Sequence, residues 1–87
     1  MATKEIEIRS NEGISLRIAA KIYKEIDTSG SKVILYKDGE SADASSVIDV
    51  LALGVEENSR IKVVAFGNNE QRVIENVTEI LTDGAGI

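Results

Sequence analysis

The chain has 87 residues, a length that encloses one hydrophobic core and excludes a second domain. Its 43% hydrophobic and 29% charged residues are those of an ordinary folded domain. A net charge of -5 with no cluster of Lys or Arg speaks against nucleic acid as a partner, because such binding depends on cations neutralising phosphates. The sequence contains neither Cys nor His, which removes disulfides, thiolate metal sites, the commonest metal ligand and the usual acid–base group at neutral pH. No metal and no cofactor is therefore expected. With no apolar run of about 18 residues and no charged-then-apolar leader, no membrane association is expected and a cytoplasmic location follows by default.

Lys4-Glu5-Ile6-Glu7-Ile8-Arg9 alternates charged and β-branched residues, placing Ile6 and Ile8 on one face and Glu5, Glu7 and Arg9 on the other. This is a strand with one wet face. Ser10-Asn11-Glu12-Gly13 ends it, and Gly13 is free to take the positive φ that a tight approach to the next element needs. A helix is predicted from Ser15 or Leu16, with Leu16, Ala19, Ala20, Tyr23 and Ile26 on its core face and Lys21, Lys24, Glu25 and Asp27 elsewhere. Asp27 to Ser31 stops it, with Gly30 as the cap. Lys32 to Lys37 has strand composition, and Asp38-Gly39 suits a type I′ turn that returns Glu40 to Asp43 as a short polar edge strand.

Ser46 to Leu53 fits about two helical turns stopped by Gly54, with a wider apolar arc than burial alone uses. After a turn at Glu56-Glu57-Asn58, Ile61 to Phe66 is the most strand-like run and is expected to lie centrally in the sheet. The last helix carries Val73, Ile74, Val77, Ile80 and Leu81 on one stripe, with an Asn69 cap and Glu70 in its first turn. Residues 83–87 read as a flexible Gly-rich tail. The order βαββαβα predicts an α+β fold in one domain over residues 1–87, a four-stranded antiparallel sheet with helices on one face and water on the other.

Three features carry chemistry. Ser15 suits an N-cap worth roughly 1 kcal/mol; together with free N–H groups, the helix dipole and Arg17, residues Ser15, Leu16 and Arg17 also compose an anion site. The two roles can coexist, although an isolated surface Arg is more commonly a solvated charge. Ser46 and Asp49 have capping-box spacing. Val47, Ile48 and Leu51 are either core residues or part of an exposed docking face.

Three separated blocks resemble the HPr family, the small phosphocarriers of the bacterial sugar phosphotransferase system. The first is Gly13-Ile14-Ser15-Leu16-Arg17-Ile18-Ala19 against the family's Gly-[Ile/Leu]-His-Ala-Arg-Pro-Ala. The second is Lys37-Asp38-Gly39 leading to Ser46 and Val50-Leu51-Ala52-Leu53, and the third is Ile61 to Gly67 with Glu70. Spacing between the blocks also matches, and the resemblance covers essentially the whole chain. It implies the HPr-like open-faced sandwich.

Ser15 stands where the family's phosphoacceptor histidine stands, Leu16 replaces an Ala and Ile18 replaces the Pro, while Gly13, Arg17 and Ala19 match. A serine phosphoester transfers its phosphoryl group far less readily than a phosphoramidate. The resemblance therefore implies a regulatory or interaction protein of the phosphotransferase system that cannot carry phosphohistidine and is not an enzyme, similar to the Crh-type members in which that residue is also replaced. The alternatives are a phosphocarrier accepting phosphate on Ser15 and a diverged domain recruited elsewhere. The resemblance also implies a regulatory phosphosite at Ser46, where Asp43, Asp49 and the replacement of a common Lys by Ser45 oppose added negative charge. It further implies that Val47, Ile48 and Leu51 dock phosphotransferase components, HPr kinase/phosphorylase or a transcription regulator.

Overall fold

The computed structural model describes residues 1–83. The stretches of β-branched, alternating character form strands β1 (Ala2–Glu7), β2 (Lys32–Lys37), β3 (Glu40–Asp43) and β4 (Arg60–Phe66). The stretches with helical period form α1 (Leu16–Ser29), α2 (Val47–Ala52) and α3 (Glu70–Asp83). All strand pairs are antiparallel and the sheet order is β1-β4-β2-β3, which places the apolar β4 inside and the polar β3 at an edge.

Alternation divides the sheet into two faces. Ala2, Val33, Leu35, Ala42, Ile61, Val63 and Ala65 are buried in one core with Ile18, Ile22 and Ile26 of α1, Val50 of α2, and Val73, Ile74, Val77 and Leu81 of α3. Each large aliphatic side chain buried there contributes about 1.5–3 kcal/mol. Thr3, Glu5, Lys32, Tyr36, Lys62 and Phe66 are exposed on the opposite face. There Lys62 faces Tyr36 across the strands and its Nζ lies 5.4 Å from the ring centroid, a cation–π contact.

The core face of α1 differs in part from the one predicted: Ala19 and Ile26 are buried as expected, while Leu16, Ala20 and Tyr23 are not. Ile18, Ala19, Ile22 and Ile26 are buried, whereas Ala20 is exposed, Leu16 is 64% exposed and Tyr23 43% exposed. Two apolar stripes share this helix, one through Leu16, Ala20 and Tyr23 and one through Ile18, Ile22 and Ile26, and both satisfy three- to four-residue spacing. The first stripe runs on into Asp27, four residues past Tyr23, while the second is isoleucine throughout. The sheet takes the stripe with more apolar area and no charge at its end.

The turns follow the sequence closely. Asp38 (φ 50°) and Gly39 (φ 84°) are both left-handed, as a type I′ hairpin requires. Gly30 (φ 75°) closes α1 by donating its N–H to the Ile26 carbonyl at 3.0 Å. β1 ends at Glu7, short of the expected Arg9, yet Ile8 is fully buried and stays bonded to the loop before β4, donating to Ser59 (2.9 Å) and accepting from Asn58 (2.8 Å).

The start of α3 is built differently from the expected Asn69 cap. Asn69 is left-handed (φ 64°), and its carbonyl accepts from Val73 N–H at 2.9 Å. The side chain that turns back is Glu70, whose Oε1 accepts from Gly67 N–H at 3.1 Å while Oε2 pairs with the N-terminal ammonium at 2.5 Å. That ammonium first, and the Gly67 bond second, hold the Glu70 carboxyl below its ordinary value. At its other end α3 runs through Asp83, the first residue of the expected tail, and residues 84–87 lie outside the described residues.

Candidate functional site

The start of α1 is fixed by a close approach of two loops. Gly13 (φ 65°) sits against the backbone of Val55 and Glu56, and Ile14 N–H donates to the Val55 carbonyl at 3.1 Å. Gly13 N–H in turn donates to the Ser10 carbonyl (3.0 Å), and Glu12 N–H to Ser10 Oγ (3.3 Å). The chain leaves this turn through Ser15 in an extended conformation (φ -84°, ψ 173°), whose Oγ accepts from Ile18 N–H at 3.4 Å. Ser15 is thus the N-cap of α1, with a long capping bond.

The same hydroxyl has a second partner. Ser15 Oγ donates to Glu12 Oε1 at 3.2 Å, and Arg17 Nη2 donates to the same oxygen at 3.1 Å. The structure therefore brings together two of the three residues expected to bind an anion, Ser15 and Arg17, around a carboxylate of the chain itself. Arg17 first and Ser15 second hold the Glu12 carboxyl below its ordinary value, so it is charged at neutral pH. Glu12 was not among the residues singled out from the sequence, because the turn at Gly13 rather than a helical spacing brings it to Ser15 and Arg17. Leu16, the third expected residue, projects an exposed apolar side chain.

Ser46 caps α2 in the same manner, extended at φ -111° and ψ 104°, with Oγ accepting from Asp49 N–H at 3.3 Å. The reciprocal half of a capping box is replaced: Ser46 N–H donates to the Asp43 carbonyl at 2.9 Å. Asp43 Oδ1 accepts from the hydroxyl and the N–H of Ser45 at 2.7 and 2.9 Å, and those bonds hold its carboxyl below its ordinary value against a smaller opposing effect of burial. Asp43 and Asp49 are the acidic neighbours that the sequence placed beside Ser46.

On α2 the three expected docking residues separate. Ile48 is 77% exposed and Leu51 38% exposed, while Val47 is half-buried against the core. Helices α1 and α2 pack on one another, so Leu16 adds exposed apolar surface from a neighbouring helix. The groove between α1 and α3, about 380 Å³ and lined by Glu25, Ser29, Arg72 and Asn76 among others, shares no residue with these two helix starts. Among the described residues no helix is long and apolar enough to cross a membrane.

A four-stranded antiparallel sheet covered on one face by three helices, with serine-capped starts on α1 and α2, defines an open-faced sandwich of the phosphocarrier type. A family profile described as "PTS HPr component phosphorylation site" matches residues 2–83, and the chain belongs to this HPr family. It is 30% identical over 77 residues to the HPr-like protein Crh of Bacillus subtilis, covering 88% of this chain and 91% of that one. It is 32% identical over 82 residues to the phosphocarrier protein HPr of Buchnera aphidicola subsp. Baizongia pistaciae, covering 94% and 96%. Among solved structures it superposes on HPr-C-His from Thermoanaerobacter tengcongensis with a TM-score of 0.92 at 25% identity, covering 100% of this chain and 98% of that one. The βαββαβα fold expected from the sequence is the fold of these relatives.

Proposed function

We propose that this chain is a regulatory and interaction protein of the phosphotransferase system that carries no phosphohistidine and acts in the cytoplasm by binding other proteins. The observation that carries this reading is the absence of any histidine, with a capping serine, Ser15, at the helix start where the family's phosphoacceptor resides. A phosphoester on that serine is a poor relay, so the chain does not turn over phosphate. Its contact surface is the exposed Ile48 and Leu51, with Val47 supporting them from the core, because an isoleucine left in water on a six-residue helix gains most by being covered. Ser15, Leu16 and Arg17 receive an anionic group of the partner, and Ser46 is a regulatory phosphosite. The partners are phosphotransferase components, HPr kinase/phosphorylase or a transcription regulator, with neither nucleic acid nor membrane involved.

The test is to incubate the protein with phosphoenolpyruvate plus Enzyme I, and separately with ATP plus HPr kinase, and to map phosphate by mass spectrometry. Phosphate on Ser46 from ATP and none from phosphoenolpyruvate is expected. Phosphate on Ser15 from phosphoenolpyruvate would make the chain a phosphocarrier and overturn the proposal. An Ile48→Asp variant should lower the rate of Ser46 modification while leaving the fold intact.

A further inference from the structure

We infer that β1 is a docking edge: an extended basic segment of another protein adds to it as a further strand and lays a Lys or Arg side chain in the groove between β1 and α3. This surface shares no residue with the face of Ile48 and Leu51. β1 lies at one end of the sheet and pairs only with β4, so the backbone N–H and C=O groups on its outer flank meet no other strand. It has six residues against four in β3 at the opposite edge, and Thr3, Lys4 and Glu5 are exposed along it. Such a flank is a template for main-chain pairing with an extended peptide.

Charge selects the occupant. The groove beside the edge, about 410 Å³, is lined by Lys4 and Ile6 of β1 and by Glu75, Thr78, Glu79 and Thr82 of α3. Glu75 and Glu79 are exposed one helical turn apart, a like-charge pair with no ion-pair partner among the described residues. A side chain opposite Ile6 on an added strand shares the face of Ile6, which is the face that α3 covers. A Lys or Arg there rests its aliphatic stem on Ile6 and brings its charge to the two carboxylates. Lys4, the groove's own cation, calls for an uncharged residue opposite it. On the other face Glu5 and Glu7 have Lys62 and Arg60 of β4 on one side and take cations on the free side, and the net charge of -5 draws a basic segment. A second copy of the chain fits poorly. When two β1 strands pair antiparallel with their faces matched, the two longest registers set Lys4 against Lys4 or Glu5 against Glu5.

The probe is the end-blocked peptide Val-Lys-Arg-Lys-Val-Thr, titrated into the intact protein and followed by amide NMR shifts. Shifts should centre on residues 3–7 and 75–82, and binding should weaken as salt is added. Glu75→Gln combined with Glu79→Gln should weaken it about five-fold, since exposed pairs are individually modest. Two further peptides carry N-methyl groups on alternate backbone nitrogens, one set on each edge of the strand, and keep every charge. The peptide whose methyl groups face β1 should lose binding and the other should retain it. No shifts at residues 3–7, equal binding by the two methylated peptides, or undiminished binding by the Gln variant would each overturn the inference. Self-association of the free protein through the β1 amides would do the same, since a second copy would then hold the edge.

Discussion

Gly13 and Val55 meet backbone to backbone. A Cβ on Gly13 would collide with the Val55 carbonyl oxygen and stand 2.7 Å from the Cα of Glu56, and that same oxygen accepts from Ile14 N–H. The contact ties the loop before α1 to the loop after α2, so one joint links the start of α1 to the end of α2. Gly13→Ala combines a steric clash with a left-handed φ of 65° and should cost about 2–4 kcal/mol. Gly39→Ala is the control, because Gly39 is also left-handed but has nothing within 4 Å of its added Cβ. It should cost about 1 kcal/mol. Urea unfolding of both variants checks the difference, and equal losses would deny Gly13 its packing role.

Ile22 and Tyr23 are neighbours in sequence and opposites in environment, the first fully buried and the second 43% exposed. Ile22→Ala should cost about 2–5 kcal/mol through lost burial and a residual cavity. Tyr23→Ala should cost under about 1 kcal/mol. Thermal or denaturant unfolding reads both, and a Tyr23 loss as large as the Ile22 loss would restore the face that spacing alone favours.

That pair shows what sequence could reveal and what it could not. Strand and turn positions were legible because each has a local cause: period-two alternation in β1, a β-branched apolar run in β4, two left-handed residues in Asp38-Gly39, a left-handed Gly30 after a helical run. The rotation of α1 was not, because choosing between two apolar stripes depends on which one the sheet covers, a tertiary fact absent from local spacing. Ser15 and Ser46 were recognisable as caps from residue type and position. The Glu12 carboxylate on Ser15 and Arg17 was not, since it depends on a turn that Gly13 can make only against Val55 and Glu56.

Ser46 accepts from Asp49 N–H, and Ser46→Ala removes that bond from a helix of only six residues. The expected loss is about 0.5–1 kcal/mol, at the modest end for a cap because the bond is 3.3 Å long. Ser46→Asn, which can cap but cannot be phosphorylated by a serine kinase, should recover most of that stability and none of the modification. Unfolding curves together with kinase labelling separate the two roles. A Ser46→Asn protein as unstable as Ser46→Ala would show that the cap contributes nothing.

The Asp43 carboxyl is held below its ordinary value of 3.8 by the Ser45 hydroxyl first and the Ser45 N–H second, with Lys32 assisting and partial burial opposing. A folded-state value lower than the unfolded one means that the unfolded chain takes up the proton first as pH falls. The stabilisation by Asp43 is therefore complete above the unfolded value near 3.8 and disappears as pH drops through the folded value below it. Asp43→Asn should be less stable than the native protein at pH 7, and the gap should close on acidification through that window. Unfolding measured at neutral pH and at successive steps below pH 4 reads this directly, and a gap independent of pH would assign the loss to geometry rather than charge. Asp43 also reports on Ser46, whose N–H is bonded to the Asp43 carbonyl. A phosphate placed on Ser46 brings negative charge beside this carboxylate and should raise its titration point, which carboxyl NMR on the modified protein would detect.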